Sequence, residues 1–316
     1  MRAVFLGTPP HAVPTLAALC TVAEVALVVT RPDRPRGRHG TPVAPAVKEA
    51  AAAWGLDVVQ PERSSDLASP IRRAAPDVAV LVAYGRIIPA AALEIPAAGF
   101  VNVHFSLLPR WRGASPVVRA ILAGDTATGV SLMRLDEGLD TGPVYAAREV
   151  EIGPVEPAGL LTARLAALGA GMVARLLEGI VDGSEVPSPQ DDAAATAAAP
   201  VRPDEAFVDP ARHSAGAVLR AVRAFDPAPG AWTTVEGRRL KLWRAAPLDG
   251  RGPAPGVVEL QDGRAVAGAA DGPLELLEVQ PEGKRRMGAA EWLRGRRGQP
   301  ARMGPPEGRA TPPPPR

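Results

Sequence analysis

Residues 99–113 read Gly99-Phe-Val-Asn-Val-His-Phe-Ser-Leu-Leu-Pro-Arg-Trp-Arg-Gly113. Asn102 and His104 stand two apart in an apolar run that predicts a strand, so their side chains share one face. Further on, Leu135-Asp-Glu-Gly-Leu-Asp-Thr-Gly-Pro143 is a glycine-rich loop with three carboxylates, Asp136, Glu137 and Asp140. An amide, an imidazole and a carboxylate can together carry an acyl transfer without a nucleophilic side chain. The amide donates N–H to a developing oxyanion. The imidazole moves a proton or polarises the carbonyl, and the carboxylate orients the imidazole. A histidine in an apolar strand also reads as a core residue held by one hydrogen bond. The neighbouring Asn and the carboxylate loop favour chemistry.

The elements that must present these groups are legible in outline. Residues 3–6, 25–30, 58–59, 78–82 and 99–104 read as strands, and 13–19 and 47–54 carry helical spacing. Strands alternating with helices predict an α/β fold with a parallel sheet covered on both faces. Asn102 and His104 then lie near the C-terminal end of a strand, where open α/β sheets bind ligands. Residues 129–135 and 144–152 read as sheet strands flanking the carboxylate loop, and 157–180 as a long amphipathic helix. Residues 187–203, rich in Pro, Ala, Ser and Asp, read as a linker between a catalytic domain at 1–186 and a second domain at 204–300. In that second domain, 215–225 reads as a helix. Short apolar runs punctuated by Glu236-Gly237, Asp262-Gly263 and Asp271-Gly272 then predict a small β-barrel. Residues 301–316 read as a Pro-rich disordered tail.

Composition narrows the chemistry. The 316 residues are 46% hydrophobic, enough for two cores. A single cysteine, Cys20, excludes an internal disulfide and a cysteine-built zinc site. It sits in an apolar helical pattern and is expected to be buried. With no H-E-x-x-H pattern either, no metal is expected. The first strand ends in Gly7-Thr-Pro-Pro10, which lacks the G-x-G-x-x-G fingerprint and disfavours a nicotinamide or flavin dinucleotide. No signal peptide and no apolar run long enough to span a bilayer is read, so the expectation is a soluble, cytoplasmic monomer without a membrane partner. Charge is uneven. Residues 1–204 carry 18 Lys and Arg against 21 Asp and Glu, whereas 205–316 carry 18 against 13. A basic C-terminal part beside an acidic N-terminal part fits a polyanion-binding appendage.

The run 102–113, followed by Gly138-Leu-Asp-Thr-Gly142, closely resembles the methionyl-tRNA formyltransferases. Phe5-Leu-Gly-Thr-Pro9, Thr30-Arg-Pro-Asp-Arg-Pro35 and Val82-Ala-Tyr-Gly-Arg-Ile-Ile-Pro89 extend the resemblance upstream. Residues 223–232, Leu240-Lys-Leu-Trp243 and Val279-Gln-Pro-Glu-Gly-Lys284 extend it through the second domain.

The resemblance implies a Rossmann-like formyltransferase domain with a C-terminal OB-like barrel. It implies 10-formyltetrahydrofolate as donor and initiator methionyl-tRNA as acceptor. The family's catalytic trio falls on Asn102, His104 and Asp140. Its folate contacts fall on Ser106, Leu107, Leu108 and Pro109, with Val82, Tyr84, Gly85 and Ile87 on the pterin side. Its tRNA loop falls on 31–41, with Arg34, Arg36 and Arg38, and Lys284 and Arg285 are expected to add tRNA contacts from the second domain. Departures from the family pattern cluster at tRNA-facing places: His11, the loop end Gly37-Arg-His-Gly-Thr-Pro42, the linker end near 197–201, and Asp226-Pro-Ala-Pro229. They keep open a second reading, a folate-dependent formyltransferase acting on a small amine such as an amino sugar.

Overall fold

The computed structural model describes residues 1–35 and 40–305. The chain forms two compact units. One holds Met1–Pro116, Ala127–Glu151 and Thr162–Ala199, and the other holds Val117–Thr126, Ile152–Leu161 and the chain from Pro200 onward.

Seven strands of the first unit form one sheet, in the order Val144–Glu151, Ala127–Arg134, Phe100–His104, Val78–Val82, Arg2–Gly7, Glu24–Val29 and Val58–Val59. The last five in this order run parallel. Ala127–Arg134 runs antiparallel to both its neighbours, Phe100–His104 and Val144–Glu151, so the sheet is mixed where the sequence led us to expect a parallel one. The connection accounts for one of these pairings: the carboxylate loop joins Ala127–Arg134 to Val144–Glu151 with no helix between them, and only antiparallel strands close so short a link.

Val78–Val82 and Phe100–His104 are buried at every position, as in a sheet covered on both faces. On one face Val4, Leu6, Ala79, Leu81 and Phe100 pack with Leu67, Ile71 and Tyr84. Asn102 lies on this face, in register with Leu81. Val103 points the other way, against the helix Ala158–Asp182. There Gly169 sits so close that a Cβ would fall 2.5 Å from Val103 Cγ1 and 3.4 Å from Val130 Cγ1.

This helix corrects one expectation. At 25 residues it is long and apolar enough, by length and composition, to cross a bilayer. Leu165, Ala166, Met172, Val173 and Leu177 are nonetheless buried within the fold. Cys20 corrects another, being exposed. Its helix, Val13–Val22, is apolar all round and buries Thr15, Leu16 and Leu19 instead, so composition gave no sign of which side faces the sheet.

In the second unit Arg238–Pro247, Ala231–Val235, Ala301–Gly304, Val257–Gln261, Arg264–Gly268 and Pro273–Pro281 pair in that order. The last then pairs back onto the first, closing an antiparallel barrel of six strands. Glu236-Gly237 and Asp262-Gly263 are two-residue hairpin turns with positive φ at both positions, 51° and 73°, then 49° and 79°, as such turns require. Leu240, Leu242, Val258, Ala265, Leu276, Val279 and Met303 fill the interior. The strand Ala301–Gly304 occupies the start of the expected tail: its buried Ala301 and Met303 alternate with outward residues, a four-residue signal too short to stand out beside the prolines. Residues 306–316 lie outside the described residues.

The stretch read as linker is also ordered. Ala197–Ala198 pairs in parallel with Arg112–Gly113, and Gln190 and Thr196 bond to the first unit through side chains. Short helices at Ala68–Ala74, Pro116–Ala123 and Ala289–Gly295 are additions to the elements expected from the sequence. Each spans about two turns, too few for a periodic signal.

Candidate active site

The strand Phe100–His104 ends by delivering Asn102 and His104, each only 6% exposed, to the floor of a cleft in the first unit. The cleft has a volume of about 700 Å³. Asp140 reaches the same floor from the carboxylate loop. Its Oδ1 accepts from Asn102 Nδ2 at 3.4 Å, and its Oδ2 accepts the Gly113 N–H at 2.8 Å and lies 3.6 Å from His104 Nδ1. The trio read from the sequence is therefore brought together, with one carboxylate bridging the amide, the imidazole and a backbone N–H.

The tautomer of His104 follows from its other contact. Nε2 lies 2.9 Å from the carbonyl oxygen of Trp111. A carbonyl only accepts, so Nε2 carries a hydrogen and donates it. Nδ1 is left facing Asp140, and protonation there forms an ion pair with the carboxylate. Both residues that complete this geometry have left-handed backbones, Trp111 at φ 63° and Asp140 at φ 54°. Non-glycine residues hold that conformation only where their surroundings enforce it.

Of the residues expected on the pterin side, Tyr84, Gly85 and Ile87 line the cleft, whereas Val82 is a buried strand residue beside lining residues Leu81 and Ala83. Ser106, Leu107, Leu108 and Pro109 are not among the lining residues. The Ser106 hydroxyl is fully buried and donates to the Arg110 carbonyl at 2.6 Å, while the Ser106 carbonyl accepts from Ser131 Oγ. This segment turns the chain from His104 back to Trp111. The cleft also uses Pro9, Phe105, Leu135 and Leu139, which no spacing in the sequence marked. Ile87 and Leu139 are 80% and 70% exposed. Large apolar side chains that line a cleft and face solvent suit a flat apolar ligand.

Electrostatics at the cleft are basic on one side. Burial, and then the charges of Arg34 and Arg86, push the Arg31 guanidinium down from its usual value. Burial raises the Tyr84 phenol, while Arg86 and Arg31 act to lower it. His11, edge-on to Phe105 with ring centres 5.7 Å apart, is lowered by burial.

Among the expected tRNA contacts, Arg34 is exposed on the first unit, and Lys284 and Arg285 are exposed on the second. Arg36 and Arg38 lie outside the described residues.

The formyl transferase family model matches residues 1–177 and the model for the formyl transferase C-terminal domain matches residues 200–297. A methionyl-tRNA formyltransferase of Streptomyces coelicolor is 46% identical over 305 residues, covering 94% of this chain and 97% of that protein. One from Myxococcus xanthus is 47% identical over 298 residues, covering 93% and 95%. The solved structure of HypX from Aquifex aeolicus in complex with tetrahydrofolic acid has the same fold at 20% identity. Its TM-score is 0.63, and the match covers 93% of this chain and 47% of that longer one. With both domain models matched and such identity along nearly its whole length, the chain belongs to the methionyl-tRNA formyltransferase family.

Proposed function

We propose that the protein transfers the formyl group of 10-formyltetrahydrofolate to the α-amine of methionine esterified to initiator tRNA, giving N-formylmethionyl-tRNA for translation initiation. The observation that carries this reading is the Asp140 carboxylate joined to Asn102, His104 and the Gly113 N–H at the floor of a largely apolar cleft. The cleft volume lies within the range of cofactor sites, and Ile87 and Leu139 give a flat ring system apolar surface to cover.

The side chains divide the work. Asn102 directs an N–H to the formyl oxygen as the neutral amine attacks and negative charge gathers there. His104, with Nε2 held by Trp111, takes up through Nδ1 the proton that the amine releases as its bond to the formyl carbon forms. It hands one to the folate nitrogen as the bond from that nitrogen to the formyl carbon breaks. Asp140 fixes the imidazole ring and offsets its positive charge. The apolar walls keep water from competing with the amine for the formyl carbon. Arg34, Arg36, Arg38, Lys284 and Arg285 meet tRNA phosphates.

The experiment is formylation by the purified protein with 10-formyltetrahydrofolate as donor, offered methionyl initiator tRNA or a nucleotide-linked amino sugar. We expect turnover on the charged tRNA and none above background on the sugar. The reverse result would replace the acceptor while keeping the donor.

A further inference from the structure

Asp140 keeps its place under adverse conditions. Its backbone is left-handed, and Asp136, Glu137, Gly138, Leu139 and Thr141 around it are exposed. Inside the loop, Asp136 Oδ1 accepts from the Gly138 N–H at 3.0 Å and from Thr141 Oγ1 at 2.7 Å. Those bonds shape the outer part of the loop and leave its inner part unheld.

The inner part is gripped by Gln190, 50 residues away in sequence. Its Nε2 donates to the carbonyls of Asp140 at 2.8 Å and Gly142 at 2.7 Å. Its Oε1 accepts from Arg112 Nε at 3.0 Å and Nη2 at 2.9 Å. The orientation of this amide is not arbitrary. Two carbonyls can only accept and a guanidinium can only donate, so the nitrogen must face the loop and the oxygen must face Arg112. Both hydrogens and both lone pairs are used.

Arg112 precedes Gly113, whose N–H holds the Asp140 carboxylate. A closed ring of contacts results: Gln190 holds the main chain of Asp140, Gly113 holds its side chain, and Arg112 ties the two together. Nearby, Thr196 Oγ1 accepts the N–H of Trp111 at 2.8 Å. The segment 190–196 therefore secures Trp111 and Asp140, two left-handed residues of the site.

Gln190 is not among the residues lining the cleft and has no place in the formyl-transfer chemistry. We infer that Gln190 is a positioning residue, which fixes the backbone of Asp140 and acts on turnover only through the Asp140 carboxylate. The inference rests on the formyl-transfer reading above.

The test is a double-mutant cycle on the full chain. Formylation of methionyl initiator tRNA by the wild-type protein is measured first, and its absence would count against the function and not against Gln190. Gln190→Ala removes both donors. Gln190→Glu keeps the length and the acceptor for Arg112 but sets an oxygen against two carbonyls, so it serves if the alanine variant fails to fold. Displacement of a reacting group by about 1 Å can lower turnover about 10²-fold, so we expect each folded variant to lose roughly 10–100-fold in kcat. KM for the folate donor should stay within about twofold. In an Asp140→Ala background the same substitutions should add less than about twofold, because the carboxylate they position is gone. Wild-type kcat in either folded variant would overturn the inference. So would an equal loss in both backgrounds, which would make Gln190 a general brace, or a loss confined to KM.

Discussion

In the proposed reaction His104 can serve through one nitrogen only, because the Trp111 carbonyl occupies the other. Nδ1 faces the Asp140 carboxylate at 3.6 Å, so a proton passing through Nδ1 travels beside a negative charge. Asp140→Asn keeps the shape and removes that charge. We expect Asp140→Asn and His104→Ala each to lower kcat by roughly 10²–10⁴-fold, the usual scale of lost acid–base assistance. Folate affinity should change little, since the apolar walls remain. Single-turnover formylation beside a folate titration separates the two quantities, and near-normal turnover in a folded Asp140→Asn variant would remove Asp140 from the chemistry. The trio was legible in the sequence because residue type and spacing carry it: two side chains on one face of a strand, and a carboxylate in a glycine-rich loop. The groups that hold the trio were not. Trp111 acts through its main chain, which leaves no mark in residue type. Gln190 acts across 50 positions from inside a segment whose composition reads as linker. Ser106, which the family resemblance places at the folate, donates its hydroxyl to the Arg110 carbonyl within the turn that brings Trp111 back, an internal bond that residue type did not announce.

At the scale of elements, the strand Phe100–His104 does two jobs on its two faces. Asn102 and His104 face the cleft, and Val103 between them packs on Gly169 of the long helix. Gly169→Ala adds a methyl into a gap that does not exist. Alanine favours a helix over glycine by about 1 kcal/mol, while overpacking a core costs about 1–3 kcal/mol, so we expect a net loss of stability in chemical denaturation. An unchanged or raised midpoint would show that the helix can shift away from the sheet without penalty. In the second unit the helix Pro116–Ala123 is held by Arg119, whose Nη1 donates to Glu205 Oε2 at 2.7 Å, with side chains only 9% and 14% exposed. The hydrogen bond from Arg119 holds the Glu205 carboxyl below its ordinary value. A carboxyl lowered on folding adds stability above its unfolded pKa, and that stability is lost as pH falls through the folded value. Removing one partner of a buried pair costs about 3–5 kcal/mol, so Glu205→Gln should destabilise the protein near neutral pH. The gap to wild type should narrow as pH drops below the ordinary carboxylate range. Melting curves from neutral to acid pH check the sign, and a gap that widens in acid would contradict the pairing.

At the scale of the whole molecule, the sequence disclosed the main strands, the longer helices and the turns of the barrel, because periodicity and Gly-containing dipeptides are local signals. It did not disclose the closure of the barrel by Arg238–Pro247 on Pro273–Pro281, nor the strand Ala301–Gly304 that completes it, since pairing partners are set by packing and not by spacing. The same distinction governs the basic surplus of residues 205–316. Much of that charge is committed within the second unit. The Arg239 guanidinium lies 3.9 Å from the ring centre of Trp232, and that of Arg286 lies 3.5 Å from Trp243 with Asp226 beside it. Lys241 donates to the Pro229 carbonyl at 2.8 Å. Lys284 and Arg285 are exposed too, beside the turn at Gly283. If they neutralise tRNA phosphates, removing each such charge should flatten the slope of log affinity against log salt by about 0.7–0.9. We therefore expect Lys284→Ala with Arg285→Ala to weaken initiator tRNA binding, most at low salt, and to reduce that slope. The kcat at saturating tRNA should stay at the wild-type level, because neither residue lies at the cleft. Arg286→Ala should act differently, lowering the melting temperature by uncovering Trp243 and leaving Asp226 without its partner. Identical salt slopes for wild type and the double variant would assign the surplus charge to solubility and not to the acceptor.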